Sequence, residues 1–307
     1  MVPELPEVEI TVRRLDAALR GAEIESARAP GINALKSYAP PLDALAGLEI
    51  DTVRRRGKHV IVEAGGELGL LMHLMSSGRL QLYDVRAGPR DRTSRLLVRV
   101  RPASADGAGA DGARGGPGRA SGDRPAPELE LRLREFGSRQ AAWVKLLRAS
   151  ELEDDESLAT LGPEAWPDPP ALGELLDAPR PLHALLRDQH TIAGIGRSWV
   201  DEILWEAKLS PYKRGADISG EEAERLRDAV ANRLGGAIAH YEGAIGLPIP
   251  DKLPMPLRVH RRQREPCPRC QTTLKAVHFE DYVIAYCPAC QTDGRVLKDR
   301  RLSRLLK

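Results

Sequence analysis

No apolar run in the 307-residue chain approaches the roughly 18 to 20 residues that span a bilayer as a helix, which excludes an ordinary transmembrane helix. The opening stretch, MVPELPEVE, is acidic and lacks a basic region followed by an apolar one, so it does not read as a secretory signal. The expectation is a cytoplasmic, nucleoid-associated monomer with no membrane partner. Cysteine occurs only four times, and in the reducing compartment expected here disulfides are not the first expectation, so the grouping of the four decides what they are. No internal repeat is present. At 42% hydrophobic and 29% charged residues, the composition excludes collagen-like, mucin-like and wholly disordered chains. Single hydrophobic cores rarely outgrow about 250 residues, so this length suggests more than one domain.

The net charge of +2 hides an asymmetry. Residues 252–307 carry 13 Lys/Arg against 5 Asp/Glu, a net of +8, which leaves 33 against 39, a net of −6, for the rest. A basic C-terminal module points to an anionic polymer, or to a solvated basic face. Along the chain, Val8, Val12, Leu15 and Leu19 recur at helical spacing, with Gly21 just beyond. From His59 to Leu82, and again over 94–101, the pattern turns strand-like. Pro102 to Pro127 holds no apolar residue larger than alanine and is expected to form a mobile loop. Leu96, Val98 and Val100 before it, and Leu129, Leu131 and Leu133 after it, alternate as two paired strands would. After about residue 150 the period changes to 3.6: helices are expected over 170–177, 181–189, 199–208 and 219–240, the last opened by a capping box of Ser219 and Glu222. This divides the chain into a strand-rich part (1–150), an acidic hinge (151–169), a helical part (170–252), a cysteine hairpin (253–290) and a basic tail (291–307).

Cys267-Pro-Arg-Cys270 and Cys287-Pro-Ala-Cys290 use every cysteine in two C-x2-C knuckles sixteen residues apart. Two intervening residues let both thiolates of a knuckle reach one ion about 2.3 Å away, and two knuckles close a tetrahedron with no position for water. One structural zinc ion is therefore expected, a redox pair or disulfides being the competing readings. Leu274 to Phe279 and Tyr282 to Tyr286 read as the two strands of a hairpin.

Pro3-Glu4-Leu5-Pro6-Glu7-Val8-Glu9 is by itself a proline-punctuated helix start. Combined with the cysteine hairpin and with Arg56-Gly-Lys58-His, His73 to Leu80, Arg134-Glu-Phe136-Gly137, Leu161-Gly-Pro-Glu164, Ile192-Ala-Gly-Ile-Gly196 and Asp201-Glu202-Ile-Leu-Trp205, it resembles the formamidopyrimidine-DNA glycosylase and endonuclease VIII family over nearly the whole chain. The resemblance implies an α+β fold: an N-terminal β-sandwich flanked by helices, then a helix-two-turns-helix domain with a zinc β-hairpin, and DNA carrying a damaged base or abasic site between them. It implies that Pro3 supplies the nucleophilic amine, Glu4 the general acid and Glu7 its support, and that Lys58 meets phosphate near the lesion. Arg134 and Phe136 would fill the gap left by an extruded base. Gly196, at the start of a helix, would offer backbone amides to phosphate.

The chain also departs from that family. Val2 stands between Met1 and Pro3 and would leave Pro3 without a free amine; the expectation is that Val2 is a misread GTG start codon. Arg197 replaces an asparagine and is expected to meet phosphate with different geometry. Met75 is shifted by one position in the wedge loop. Tyr282 replaces an arginine at the hairpin tip, which passes DNA contact to Arg261, Arg262 or Arg264. The stretch from Glu242 to Arg258 lacks the loop that encloses oxidised purines, which favours oxidised pyrimidines. Three readings stay open: a base-excision glycosylase with lyase activity, a damaged-DNA binder without catalysis, and a zinc-containing transcription factor.

Overall fold

The computed structural model describes residues 2–31, 33–88, 91–103, 128–136, 140–279 and 282–298. Helix α1 (Leu5–Leu19) has Pro6 in its first turn, where a missing amide hydrogen costs nothing, and buries Leu5, Val8, Val12, Leu15 and Leu19. Eight strands follow: β1 (Glu23–Arg28), β2 (Ile50–Arg56), β3 (His59–Ala64), β4 (Leu68–His73), β5 (Gly78–Tyr83), β6 (Ser94–Arg101), β7 (Leu129–Glu135) and β8 (Trp143–Arg148). They form two four-stranded antiparallel sheets, ordered β1-β6-β7-β5 and β2-β3-β4-β8. The alternation around Pro102–Pro127 resolves as expected, with Leu96, Val98 and Val100 opposite Leu133, Leu131 and Leu129. The expected mobile loop between them lies, from residue 104 to 127, outside the described residues.

Short helices α2 (Ala149–Leu152), α3 (Glu156–Ala159), α4 (Leu172–Leu175) and α5 (Leu182–Arg187) lead to α6 (Arg197–Glu206) and α7 (Gly220–Ala244). The helix expected over 170–177 is only one turn. Ser219 and Glu222 close the capping box of α7, the Glu222 amide donating to Ser219 Oγ at 3.2 Å and the Ser219 amide to Glu222 Oε2 at 2.9 Å. Within 151–169, Glu164 accepts from Arg55, from Arg56 at 2.8 Å and from the Gly57 amide at 2.6 Å, so this stretch is tied to the turn that carries Lys58.

Leu5 and Val12 of α1, Val62 and Leu70 of one sheet, Leu96 and Leu131 of the other, and Trp199 and Leu226 of α6 and α7 belong to one continuous apolar core. Strands β9 (Lys275–His278) and β10 (Val283–Tyr286) pair as a hairpin, and α8 (Pro288–Gln291) begins at the second knuckle. The hairpin has apolar clusters of its own, around Trp205, Val259 and Leu274 and around Val277, Ile284 and Tyr286. In the tail, Leu297 packs near Tyr286 and its amide donates to Tyr286 Oη at 2.8 Å; residues 299–307 lie outside the described residues.

Candidate active site and four-cysteine centre

The two carboxylates of the first motif are buried against the start of α6. Glu4 is the cap residue of α1 and is 1% exposed. Its Oε1 accepts from the Ser198 amide at 2.8 Å and its Oε2 from the Trp199 amide at 3.2 Å. The helix N-terminus that the sequence offered to phosphate at Gly196 is thus turned toward Glu4, and two of its amides are already engaged. The glycines of the turn have the same cause. A Cβ on Gly196 would fall 2.3 Å from Glu4 Cδ, and one on Gly194, whose φ is +105°, 2.4 Å from Leu5 Cδ1. They admit the N-terminal segment, and the Leu5 amide donates to the Gly194 carbonyl at 3.1 Å.

Glu7 lies one turn along α1. It accepts from the Glu4 amide at 3.0 Å, from Tyr241 Oη at 2.8 Å and from the Trp199 indole at 3.3 Å. Burial, reinforced by the neighbouring Glu4 carboxylate, pushes its pKa up to about 8, so Glu7 holds a proton at neutral pH. Pro3 is half-buried, and with Glu7, Leu74, Gly78, Gln81 and Ile249 it lines a pocket at the edge of β5.

Lys58 occupies the turn between β2 and β3, where Gly57 takes a φ of +56°. It is half-buried rather than a solvated turn lysine. Burial lowers its pKa, Glu4 and Glu7 oppose that shift, and Arg187 and Arg197 add to it. Lys58 and Arg197, distant in sequence from Pro3, Glu4 and Glu7, therefore share one neighbourhood with them. Trp199, Tyr241 and Arg187 were not foreseen. Tyr241 continues the spacing of Leu234 and Ile238 on α7 and was legible as a core residue, but nothing local links it to Glu7.

Met75 and Phe136 lie toward the same end of a sheet. The pairing of Gly78 with Glu135 places the turn after β4 beside the end of β7, and Met75 and Phe136 are 36% and 42% exposed there. Arg134 has partners within the protein. Its Nε donates to Thr93 Oγ1 at 3.1 Å and its Nη1 to Tyr83 Oη at 2.8 Å, while its guanidinium stacks 4.6 Å from the Phe136 ring. It is anchored to its own sheet and supports Phe136. Arg261 is exposed, with a φ of +60°, whereas Arg262 is paired with Glu265 at 2.7 Å.

The four cysteines converge. All four sulfurs lie within 4.8 Å of one another, with Cys270 at 3.4 Å from Cys287 and Cys267 at 4.0 Å from Cys290. Thiolates about 2.3 Å from a shared ion are roughly 3.8 Å apart at tetrahedral angles, so this set fits a metal ion. The Trp205 indole donates to Cys267 Sγ at 3.4 Å, which steadies a thiolate from outside. Helix α6 joins this centre to the carboxylates. From its middle, Glu202 Oε1 accepts the amides of Arg258, Val259 and His260 at 2.8–2.9 Å, and Asp201 Oδ2 accepts from the Ala285 amide on β10 at 2.9 Å.

Comparison with known proteins identifies this arrangement. Residues 2–109 match the formamidopyrimidine-DNA glycosylase N-terminal domain and residues 168–248 the formamidopyrimidine-DNA glycosylase H2TH domain. The formamidopyrimidine-DNA glycosylase of Chloroflexus aurantiacus is 30% identical, the alignment covering 94% of this chain and 98% of that one. The chain belongs to the formamidopyrimidine-DNA glycosylase family. That of Moorella thermoacetica is 31% identical over 90% of this chain and 94% of its own, and an uncharacterized formamidopyrimidine-DNA glycosylase-like protein of Mycobacterium tuberculosis is 41% identical over 41% of this chain and 80% of its own. The Lactococcus lactis enzyme, solved with DNA containing an abasic site, shares the fold with a TM-score of 0.76 at 24% identity, covering 94% of this chain and all of that one. Among the described residues no helix is long and apolar enough to cross a membrane.

Proposed function

We propose that the protein is a base-excision DNA glycosylase with abasic-site lyase activity, acting on double-stranded DNA through a Schiff base on Pro3. The observation that carries this reading is the meeting of Pro3 and Glu7 at one pocket, with Glu4 hydrogen-bonded to Glu7 and with Lys58 and Arg197 in the same neighbourhood. The chemistry requires that Pro3 be N-terminal in the working enzyme. An α-amino group ordinarily has a pKa of about 7.7 to 8.0, so a large share of it is unprotonated and nucleophilic at neutral pH. The amine attacks the sugar's anomeric carbon and the damaged base departs with the bonding electron pair. Glu4, a carboxylate at rest, takes the proton that the amine sheds on attack and returns it to the ring oxygen as the C–O bond opens and the iminium forms. Loss of a proton from the adjacent carbon then expels the 3′ phosphate. Glu7, neutral at working pH, keeps a second negative charge out of the site and holds the turn that presents Pro3 and Glu4.

Around this centre, Lys58 and Arg197 take phosphate oxygens, while Met75 and Phe136 enter the stack where the base has left, a step that costs a few kcal/mol and is easiest at a damaged pair. Arg261 contributes a backbone contact from the cysteine hairpin. Zinc is the ion of the four-cysteine centre: four thiolates closed around a tetrahedron favour it, and it holds the hairpin rigid without taking part in the reaction. Both near-full-length relatives carry the formamidopyrimidine-DNA glycosylase name, so the preference for oxidised pyrimidines expected from the missing loop is to be read on a panel of lesion duplexes.

Borohydride reduction on an abasic duplex tests the mechanism. Protein processed to begin at Pro3 should form a covalent adduct that vanishes in Pro3→Gly or on N-terminal extension. No adduct from correctly processed protein would leave the non-catalytic damaged-DNA binder as the better reading.

A further inference from the structure

Arg187, the last residue of α5, is a cation that the mechanism above does not use. Its guanidinium carbon lies 4.4 Å from the ring centroid of Tyr282, and that of Arg197 lies 5.2 Å from the same ring. Tyr282 is itself stacked on Phe279 at 4.4 Å with only 3° between the planes. An aromatic shelf at the start of β10 therefore carries two guanidiniums side by side, and Lys58 is within electrostatic reach of both.

Among these groups Arg187 is incompletely satisfied. Arg187 Nη1 is buried and, among the described residues, neither has a hydrogen-bond partner nor pairs with a carboxylate. A charged donor left unsatisfied in this way costs about 1 to 3 kcal/mol or more, whereas a cation over an aromatic face recovers roughly 0.5 to 2 kcal/mol. Lys58 is a like charge within electrostatic reach of Arg187. Glu4, the acid that acts most strongly on Lys58, already accepts from two backbone amides. What would satisfy Arg187 is an oxyanion arriving between the three cations.

Resting on the glycosylase reading, we propose that Arg187 is a ligand for a backbone phosphate of the lesion strand, and that Tyr282 is the positioning residue that holds it. The guanidinium reaches the strand from the end of α5, not from the hairpin tip where the resemblance places an arginine and this chain has Tyr282. Arg187 is thereby a determinant of affinity for the abasic site, separate from the amine chemistry at Pro3.

The test measures binding to a duplex carrying a tetrahydrofuran abasic analogue by fluorescence anisotropy over a series of salt concentrations. Removing one phosphate contact lowers the slope of log affinity against log salt by about one. Arg187→Met should show that loss together with roughly tenfold weaker binding at low salt, and Arg187→Lys should restore the slope. Tyr282→Leu should weaken binding, while Tyr282→Phe, which keeps the shelf, should match the unaltered protein. Wild-type slope and affinity in a folded Arg187→Met variant would overturn the proposal; should that variant fail to fold, unchanged binding by Tyr282→Leu would do so. Borohydride trapping by the unaltered protein is scored separately, so a missing adduct counts against the glycosylase reading and an unchanged salt slope against Arg187 alone.

Discussion

The carboxylate of Glu4 caps a helix 194 residues away, accepting from the Ser198 amide at 2.8 Å. That bond fixes the N-terminal segment on the start of α6, and α6 in turn holds the cysteine hairpin through Asp201 and Glu202. The N-terminal segment and the basic module are thereby referenced to one rigid element.

Substitution at the turn tests this arrangement. Gly196→Ala forces a Cβ to within 2.3 Å of Glu4 Cδ, and Glu4 must leave its seat. Since about 1 Å of misplacement can lower a rate by roughly 100-fold, borohydride adduct formation should slow to that extent while affinity for abasic duplex changes little.

Stability should depend on pH through Glu7. Its folded pKa of about 8 lies above the ordinary 4.5, so the folded state binds the extra proton between those values. The stabilisation is complete below pH 4.5 and is lost as pH rises toward 8, at up to about 1.4 kcal/mol per pH unit. Urea denaturation at a series of pH values should show this decline, and Glu7→Gln should flatten it.

Glu202 should be costly to alter. It is fully buried, accepts three backbone amides and pairs with Arg233 at 3.0 Å. Glu202→Gln places an amide group among donors and should destabilise the protein by about 3 kcal/mol in chemical denaturation.

Loss of the metal should be a local event. The hairpin's apolar clusters are separate from the main core, so Cys270→Ser should abolish stoichiometric zinc in elemental analysis and weaken DNA binding. The principal calorimetric transition should remain, because the core under α1 and the two sheets does not depend on that ion.

At the end of the sheet, Met75→Ala and Phe136→Ala should leave melting temperature nearly unchanged, since both side chains are substantially exposed. Together they should reduce discrimination between abasic and intact duplex, measured by competition binding.

Local pattern determined much of this protein. Alternating Leu and Val residues on either side of Pro102–Pro127 specified two paired strands because side chains in a strand alternate faces; Ser219 and Glu222 specified the start of α7; and the spacing of Cys267, Cys270, Cys287 and Cys290 specified a four-thiolate centre. These are properties of neighbours along the chain. Tertiary structure decided whatever depended on partners distant in sequence. It gave the amides of α6 to Glu4, raised Glu7 by burying it beside Trp199 and Tyr241, tied Arg134 to Tyr83, and set Arg187 on Tyr282. Burial and electrostatics are sums over everything nearby in space, and no window of sequence contains those neighbours.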